Sequence, residues 1–197
     1  MKLLLGILIC LSSIPAFTHA STTGWLWYNY FPWVYSEEEG NWLYIRAHGD
    51  QMLAYSARDK VWREFQSKAD ERAQYFSSLS EQEGIIQDES GLFYEYINEG
   101  TGEKPNISDE VTVHYHGTRV DGTVFDSSVI RKTPSTFPMN GVISGFSIGL
   151  TKLKQGGKIR LYIPPHLAYG DNPRAGGLIK PGDILIFEVE LLAITQK

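Results

Sequence analysis

Five histidines, one cysteine and 23 acidic residues are the groups from which covalent or metal chemistry would have to be assembled. His114 and His116 flank Tyr115 and share one face of a strand, because side chains in a strand alternate with a period of two. His166 belongs to a separate loop and His48 to the N-terminal part of the chain. No carboxylate or cysteine stands at a spacing that completes a zinc-type ligand set around them, so no metal centre is expected. Neither a Ser-His-Asp order nor a phosphate-binding glycine loop is evident, and Gly156-Gly157 and Gly176-Gly177 read as turns. Phe125, Phe146 and Phe187 alternate along strands or sit on a helix face, which by period alone is the pattern of core residues.

Composition narrows the setting. The chain has 197 residues, 42% of them apolar, enough for one medium domain or one small and one standard domain. The net charge is −5, and no basic cluster stands out, so nucleic acid is not an expected partner. The first 20 residues read as a secretory signal: Lys2 is the charged start, Leu3 to Leu11 an apolar run, and Thr18-His19-Ala20 a cleavage site after Ala20. Cleavage leaves 17 basic against 23 acidic residues, a net charge of −6. The run of roughly 9 apolar residues falls short of the ~20 that a spanning helix needs, so no stable membrane span is expected. Cys10 is the only cysteine, and Ile9 stands before it where a lipoprotein signal wants a small side chain. Export with cleavage therefore leaves a chain without disulfides or thiol chemistry.

The elements that would position any site change character along the chain. All five tryptophans lie between Trp25 and Trp62, which marks residues 21–66 as a separate module. Within it Tyr35-Ser36 precedes Trp42 as Tyr55-Ser56 precedes Trp62, a repeat of 20 residues. Aromatic and β-branched runs at 33–35, 42–45, 52–55 and 61–62, separated by turn residues, predict a β-meander. Its tryptophans either fill a minimal core or form a platform for glycan or protein contact. A short helix from about Ser67 to Glu81 follows, with Ala69, Ala73 and Phe76 at helical spacing, and residues 67–84 read as a linker. From 85 to 197 the pattern is that of an α+β domain. Its strand candidates are Gly91–Glu99, Glu110–Arg119, Lys158–Ile163 and Asp183–Ile194, with an Asp121-Gly122 turn and one brief helix at Phe146–Leu153.

Five segments in order carry a family resemblance: Val113-His114-Tyr115-His116-Gly117, Asp121 to Ser128, Gly141 to Phe146, Leu167-Ala168-Tyr169-Gly170, and Ile184 to Leu192. Together they resemble the FKBP-type peptidyl-prolyl cis–trans isomerase domain over its full length, from roughly Gly91 to the C-terminus. The resemblance implies a twisted antiparallel sheet wrapped around one short helix with an apolar pocket between them. It assigns catalytic roles to Tyr115, Phe125, Asp126, Phe146, Tyr169 and Phe187, and substrate contact to Arg131, Val142, Ile143, Leu178 and Ile179. Phe146 would be the pocket floor, where many members carry tryptophan; Tyr169 would hydrogen-bond a substrate carbonyl, and the Ile143 N–H would hold the same backbone. Asp126 is either an electrostatic contact for the rotating carbonyl or a structural carboxylate paired with Arg131 or Tyr115. The implied partners are proline-containing polypeptides and macrolide inhibitors, with no cofactor, in the periplasm or outside the cell. A non-catalytic proline-peptide-binding chaperone or a cell-envelope interaction protein is the alternative. The chain departs from the family in two places: Ser135 or Thr136 replaces an aromatic usual after the arginine, and the loop 171–177 is about one residue longer and lacks a usual histidine. Both bear on substrate preference and inhibitor affinity.

Overall fold

The computed structural model describes residues 25–27, 33–36, 40–48, 51–64, 68–174 and 176–196. The leader at 1–20, Cys10 and the start of the linker helix at Ser67 lie outside the described residues. The chain divides between Arg63 and Glu64 into two compact units.

The first unit is a five-stranded sheet in sequential order: β1 (Trp25–Trp27), β2 (Trp33–Ser36), β3 (Asn41–His48), β4 (Gln51–Ser56) and β5 (Trp62–Glu64). This is the meander that the aromatic runs predict, with β1 added at the edge. Cross-strand register stacks Trp33 on Tyr44 and Tyr44 on Tyr55. Their rings meet each other and Trp62 at centroid distances of 5.3–6.4 Å. The Arg46 guanidinium lies 4.3 Å from the Trp62 ring. Leu43 and Ala54 alternate onto the other face and are buried, whereas Trp42 and Trp62 are about 40% exposed. The repeated serines are both buried, and Asn41 Nδ2 donates to Ser56 Oγ at 2.7 Å.

The second unit begins with α1 (Lys68–Ser80), followed by β6 (Ile86–Gln87), β7 (Phe93–Asn98), β8 (Glu110–Arg119) and β9 (Val124–Ser127). Then come α2 (Ser128–Arg131), β10 (Ser135–Pro138), α3 (Ser144–Lys152), β11 (Lys158–Ile163) and β12 (Leu185–Thr195). Six strands run in the order β10-β8-β12-β11-β7-β6, and β9 pairs with β8 beside them. Every recorded pair in it is antiparallel. The short elements β6, β9, β10 and α2 have no counterpart in the sequence reading, because two to four residues carry too little periodicity to declare themselves.

Alternation sorts the sheet into two faces. Ile159, Leu161 and Ile163 of β11, with Val113, Tyr115, Leu185, Phe187 and Val189, point to one side and form the main core with Phe146 and Leu150 of α3. Burying side chains of this size gives roughly 1.5–3 kcal/mol each, the main favourable contribution to this fold. Helix and sheet meet closely: a methyl at Gly145 would overlap Ile163 Cγ2. Phe93, Tyr162 and Ile186 point to the other side, where Leu79, Tyr75 and Phe76 of α1 pack on them, with Phe76 stacked on Phe93 at 5.1 Å. Arg160 bridges Glu95 at 2.6 Å and Glu188 at 3.1 Å on that side, so three adjacent strands carry alternating charge. Helix α1 is therefore a packed element of this unit. Its contact stripe is Arg72, Tyr75, Phe76 and Leu79, and the alanines expected to share it, Ala69 and Ala73, are exposed.

Candidate active site

The site grows from the middle of β8. Tyr115 stands on the core side of that strand, and Val113 and Gly117 flank it two residues away on the same side. Opposite it, the Asp126-Ser127-Ser128 run ends β9 and opens α2. Ser127 caps α2 by accepting the Ile130 N–H at 3.2 Å. Ser128 Oγ accepts the Tyr115 N–H at 2.7 Å. His114 and His116, candidates for metal ligation by type, instead face Ser128 and Ser127 at 3.1 and 3.0 Å. Among the described residues no cluster of His, Cys, Asp or Glu is arranged to hold a metal. The two serines thus pin the β9–α2 junction to β8, and Asp126 beside them is directed at Tyr115.

Asp126 has both oxygens engaged. Tyr115 Oη donates to Oδ2 at 2.5 Å, and Arg131 Nη1 is paired with Oδ1. Arg131 Nη2 also donates to Tyr115 Oη at 2.9 Å, which closes a three-membered ring of contacts. Burial pushes the Asp126 carboxyl up, but the Tyr115 and Arg131 hydrogen bonds and the Arg131 charge outweigh it and hold it below the usual carboxylate range. Burial and the adjacent carboxylate push the Tyr115 phenol above its usual value, so it remains a donor at neutral pH. This arrangement serves the structural reading of Asp126 while leaving the residue on the cleft wall.

The cleft is open and about 690 Å³ in volume. Its lining is Tyr115, Phe125, Asp126, Phe137, Gly141, Val142, Ile143, Phe146, Tyr169, Pro173, Arg174, Gly177, Leu178, Ile179 and Phe187. Phe146 forms the floor from the first turn of α3 and is 4% exposed. Around it the rings meet mostly edge to face: Phe146 with Phe187 at 5.2 Å, Tyr115 at 6.1 Å and Phe137 at 6.4 Å, and Phe125 with Phe187 at 5.3 Å. That packing depends on Gly117, directly across from Phe187. A Cβ there would lie 2.7 Å from Phe125 Cζ and 2.9 Å from Phe187 Cε1. The rings that period alone assigns to the core are thus both core and wall.

Ten of the eleven expected site residues lie on this lining: Tyr115, Phe125, Asp126, Val142, Ile143, Phe146, Tyr169, Leu178, Ile179 and Phe187. Arg131, expected to touch substrate, stands behind Asp126 and outside the lining. Phe137 was not among the expected site residues and takes the place of the aromatic that is absent at Ser135 and Thr136. In β10 Ser135 and Phe137 are the half-buried positions, an alternation too brief to read from sequence. Pro173, Arg174 and Gly177 bring the long loop to the rim. Tyr169 is 47% exposed, and no hydrogen bond among the described residues uses its hydroxyl. The Ile143 N–H, just before α3, likewise donates to no described group, while its carbonyl accepts from Phe146 and Ser147.

Comparison with known proteins places this geometry. Residues 101–192 match the family described as FKBP-type peptidyl-prolyl cis-trans isomerase. The FKBP-type 22 kDa peptidyl-prolyl cis-trans isomerase of Escherichia coli (strain K12) is 48% identical over 137 residues, 69% of this chain and 66% of that protein. FkpA of Aeromonas hydrophila is 44% identical over 144 residues, 73% of this chain and 52% of the relative. The chain therefore spans between about half and two thirds of the length of these curated relatives. Among solved structures, FkpA from Escherichia coli matches with a TM-score of 0.62 at 40% identity, covering 66% of this chain and 60% of that one. A peptidyl-prolyl cis-trans isomerase from Pseudomonas syringae pv. tomato matches with a TM-score of 0.61 at 32% identity, covering 66% of this chain and 94% of that one. With the ordered motifs, the sheet-and-helix architecture and the aromatic cleft already in place, the chain belongs to the FKBP-type peptidyl-prolyl cis–trans isomerase family.

Proposed function

We propose that this protein catalyses the cis–trans isomerisation of prolyl peptide bonds in exported polypeptides. Rotation about such a bond meets a barrier of about 20 kcal/mol because the C–N bond has partial double-bond character. No bond is made or broken, so catalysis requires only a site that binds the twisted amide better than either planar form. Twisting removes amide resonance and with it much of the carbonyl's charge separation. The twisted amide therefore loses less than the planar one on entering an apolar cleft. Each tenfold acceleration needs about 1.4 kcal/mol of that preference.

The residues divide the work accordingly. Phe146, Phe187, Phe125 and Val142 would grip the pyrrolidine ring. The Tyr169 hydroxyl and the Ile143 N–H would hold the flanking peptide, a sparse polar set on an apolar wall. Asp126, kept ionised and oriented by Tyr115 and Arg131, would face the carbonyl as it rotates. The observation that carries the reading is the floor: a buried phenyl ring ringed by three further aromatics, with unspent donors at its edge. A protease-coupled assay on a short prolyl peptide tests it, with Phe146→Ala and Asp126→Ala beside the wild type. Loss of turnover in Phe146→Ala and a partial loss in Asp126→Ala are expected. An unchanged rate in both variants would remove the site assignment, and binding without acceleration in the wild type would leave a proline-peptide chaperone.

We place the site of action outside the cytoplasm. Residues 1–20 supply the leader, and a relative from Legionella longbeachae, 41% identical over 138 residues, is named an outer membrane protein. Among the described residues no helix is long and apolar enough to cross a membrane. The domain plan follows from the same reading: leader to Ala20, aromatic module 21–66, linker helix 67–84, isomerase domain 85–197. N-terminal sequencing of the exported product tests the leader, since a mature chain beginning at Ser21 is expected and one beginning at Met1 would refute it.

A further inference from the structure

We infer that Arg174 sets a charge preference in this site, favouring client segments that carry a carboxylate next to the proline. The inference rests on the isomerase reading of the cleft and names the substrate class that the cleft selects.

The lining holds two charged side chains, Asp126 and Arg174. They do not neutralise each other. Asp126 is taken up by Arg131 and Tyr115, which engage both of its oxygens. Arg174 takes part in none of the ion pairs among the described residues, and no side-chain hydrogen bond there uses its guanidinium. Asp171, the acidic residue nearest in sequence, is not paired with it either. The cleft therefore presents one uncompensated charge, and it is positive.

Its position suits a flanking residue of the substrate rather than the proline itself. The floor that receives the pyrrolidine is apolar, and Arg174 lies on the loop at the rim, in the same lining as Tyr169 and Leu178. The backbone there is held in two ways. Pro173 fixes φ on one side, and the Gly177 N–H donates to the Arg174 carbonyl at 3.3 Å on the other. A chain whose proline sits on the floor has flanking residues within the same open cleft, whose lining includes Arg174. A guanidinium offers a planar set of donors matched to a carboxylate, and it repels lysine or arginine at the same place.

The test is a peptide series with glutamate, glutamine or lysine placed either immediately before or immediately after one proline. Turnover is read by NMR exchange and affinity by chemical-shift titration, in wild type, Arg174→Lys, Arg174→Ala and Arg174→Glu. In low salt the glutamate peptide is expected to exceed the lysine peptide in kcat/KM by about threefold to fivefold at one or both flanks, the size of an exposed ion pair. Arg174→Lys should keep most of that ratio, Arg174→Ala should bring it near one, and Arg174→Glu should invert it. Salt of about 0.5 M should level the ratio in the wild type, because the Debye length then falls below the span of a side chain. Equal kcat/KM for glutamate and lysine at both flanks in the wild type, or a preference that survives Arg174→Glu, overturns the inference. If no peptide is turned over, the isomerase reading fails. The titrated affinities then decide the charge preference by the same order of peptides and variants.

Discussion

Replacing Gly117 with alanine adds one methyl at the point where the cleft wall is tightest. The ideal Cβ lies 2.7 and 2.8 Å from Phe125 Cζ and Cε2, and 2.9 Å from Phe187 Cε1. Carbon atoms rest at about 3.5–4.0 Å, so one ring or both must retreat by roughly 1 Å. Phe187 has nowhere to go: it is 7% exposed and held against Phe146 and Tyr115 at 5.2 and 6.2 Å. Phe125 is only half-buried and borders the open cleft, so it swings inward. Overpacking of this kind costs about 1–3 kcal/mol, and loss of glycine's freedom in the unfolded chain offsets about 0.4–1 kcal/mol of that. The net destabilisation should therefore be modest, about 1 kcal/mol, a shift of roughly 0.5 M in a urea midpoint. Activity should suffer more. A wall moved by about 1 Å into the proline site is enough for a loss of order 100-fold in kcat/KM. Urea unfolding should be followed through amide resonances of β11 and β12, because all five tryptophans lie at 25–62 and report on the other unit. Full activity at unchanged stability in Gly117→Ala would show that Phe125 and Phe187 do not close on the Gly117 position as described.

Four further outcomes are expected. Phe146→Ala removes a ring that is 4% exposed; the space left merges with the open cleft, so the cost should sit near the lower end of the usual 3–5 kcal/mol, measured by thermal or urea unfolding. Gly145→Ala forces a methyl onto buried Ile163, and the overpacking should outweigh the gain of up to about 1 kcal/mol in helix propensity, giving a lower midpoint and reduced turnover. Arg131→Ala should leave the unfolding midpoint nearly unchanged, because both partners of its ion pair are nearly half exposed, yet lower kcat/KM by releasing Asp126 and Tyr115 from their fixed geometry. Asp126, Glu188 and Asp88 each titrate below their ordinary range in the folded chain. Stability from them is complete above about pH 4–5 and is lost as pH falls through the folded values. Asp88→Asn, which weakens the 3.0 Å contact to Lys152 at the end of α3, should flatten that acid limb; an acid limb identical to wild type would contradict it.

Much of this was legible in the residues. The long strands β8 and β11 run over the predicted residues: β8 alternates between buried and half-buried positions from Glu110 to Gly117, and in β11 Ile159, Leu161 and Ile163 hold the core side while Tyr162 is buried on the other, which leaves little choice of register. The Asp121-Gly122 turn forms as predicted, with Gly122 at φ +82 and its N–H donating to the Arg119 carbonyl. Period placed Phe76 of α1 on the packed face but set Ala69 and Ala73 beside it, whereas Tyr75 and Leu79, which offer far more apolar area, share the contact with Phe76 and the alanines are exposed. The closed ring of Tyr115, Asp126 and Arg131 depends on β9 folding back on β8, a contact made across 11 to 16 residues that no local pattern encodes. Phe137 stands close to the missing aromatic in sequence, but its place on the wall comes from a long-range contact: β10 owes its alignment to pairing with β8, which sets Phe137 opposite Val111 and brings it to the cleft.

The most direct test of a cleft that favours the twisted prolyl amide is NMR exchange spectroscopy on a short peptide with a bulky apolar residue before proline. Uncatalysed interconversion takes tens to hundreds of seconds at 25 °C. With the protein at substoichiometric concentration, exchange cross-peaks between the cis and trans forms should appear within a mixing time of about a second, far faster than that uncatalysed exchange. The protein resonances that shift should be those of Tyr115, Phe125, Phe146, Tyr169 and Phe187. Peptide that shifts those same resonances while its cis and trans forms exchange no faster than in buffer would contradict the account.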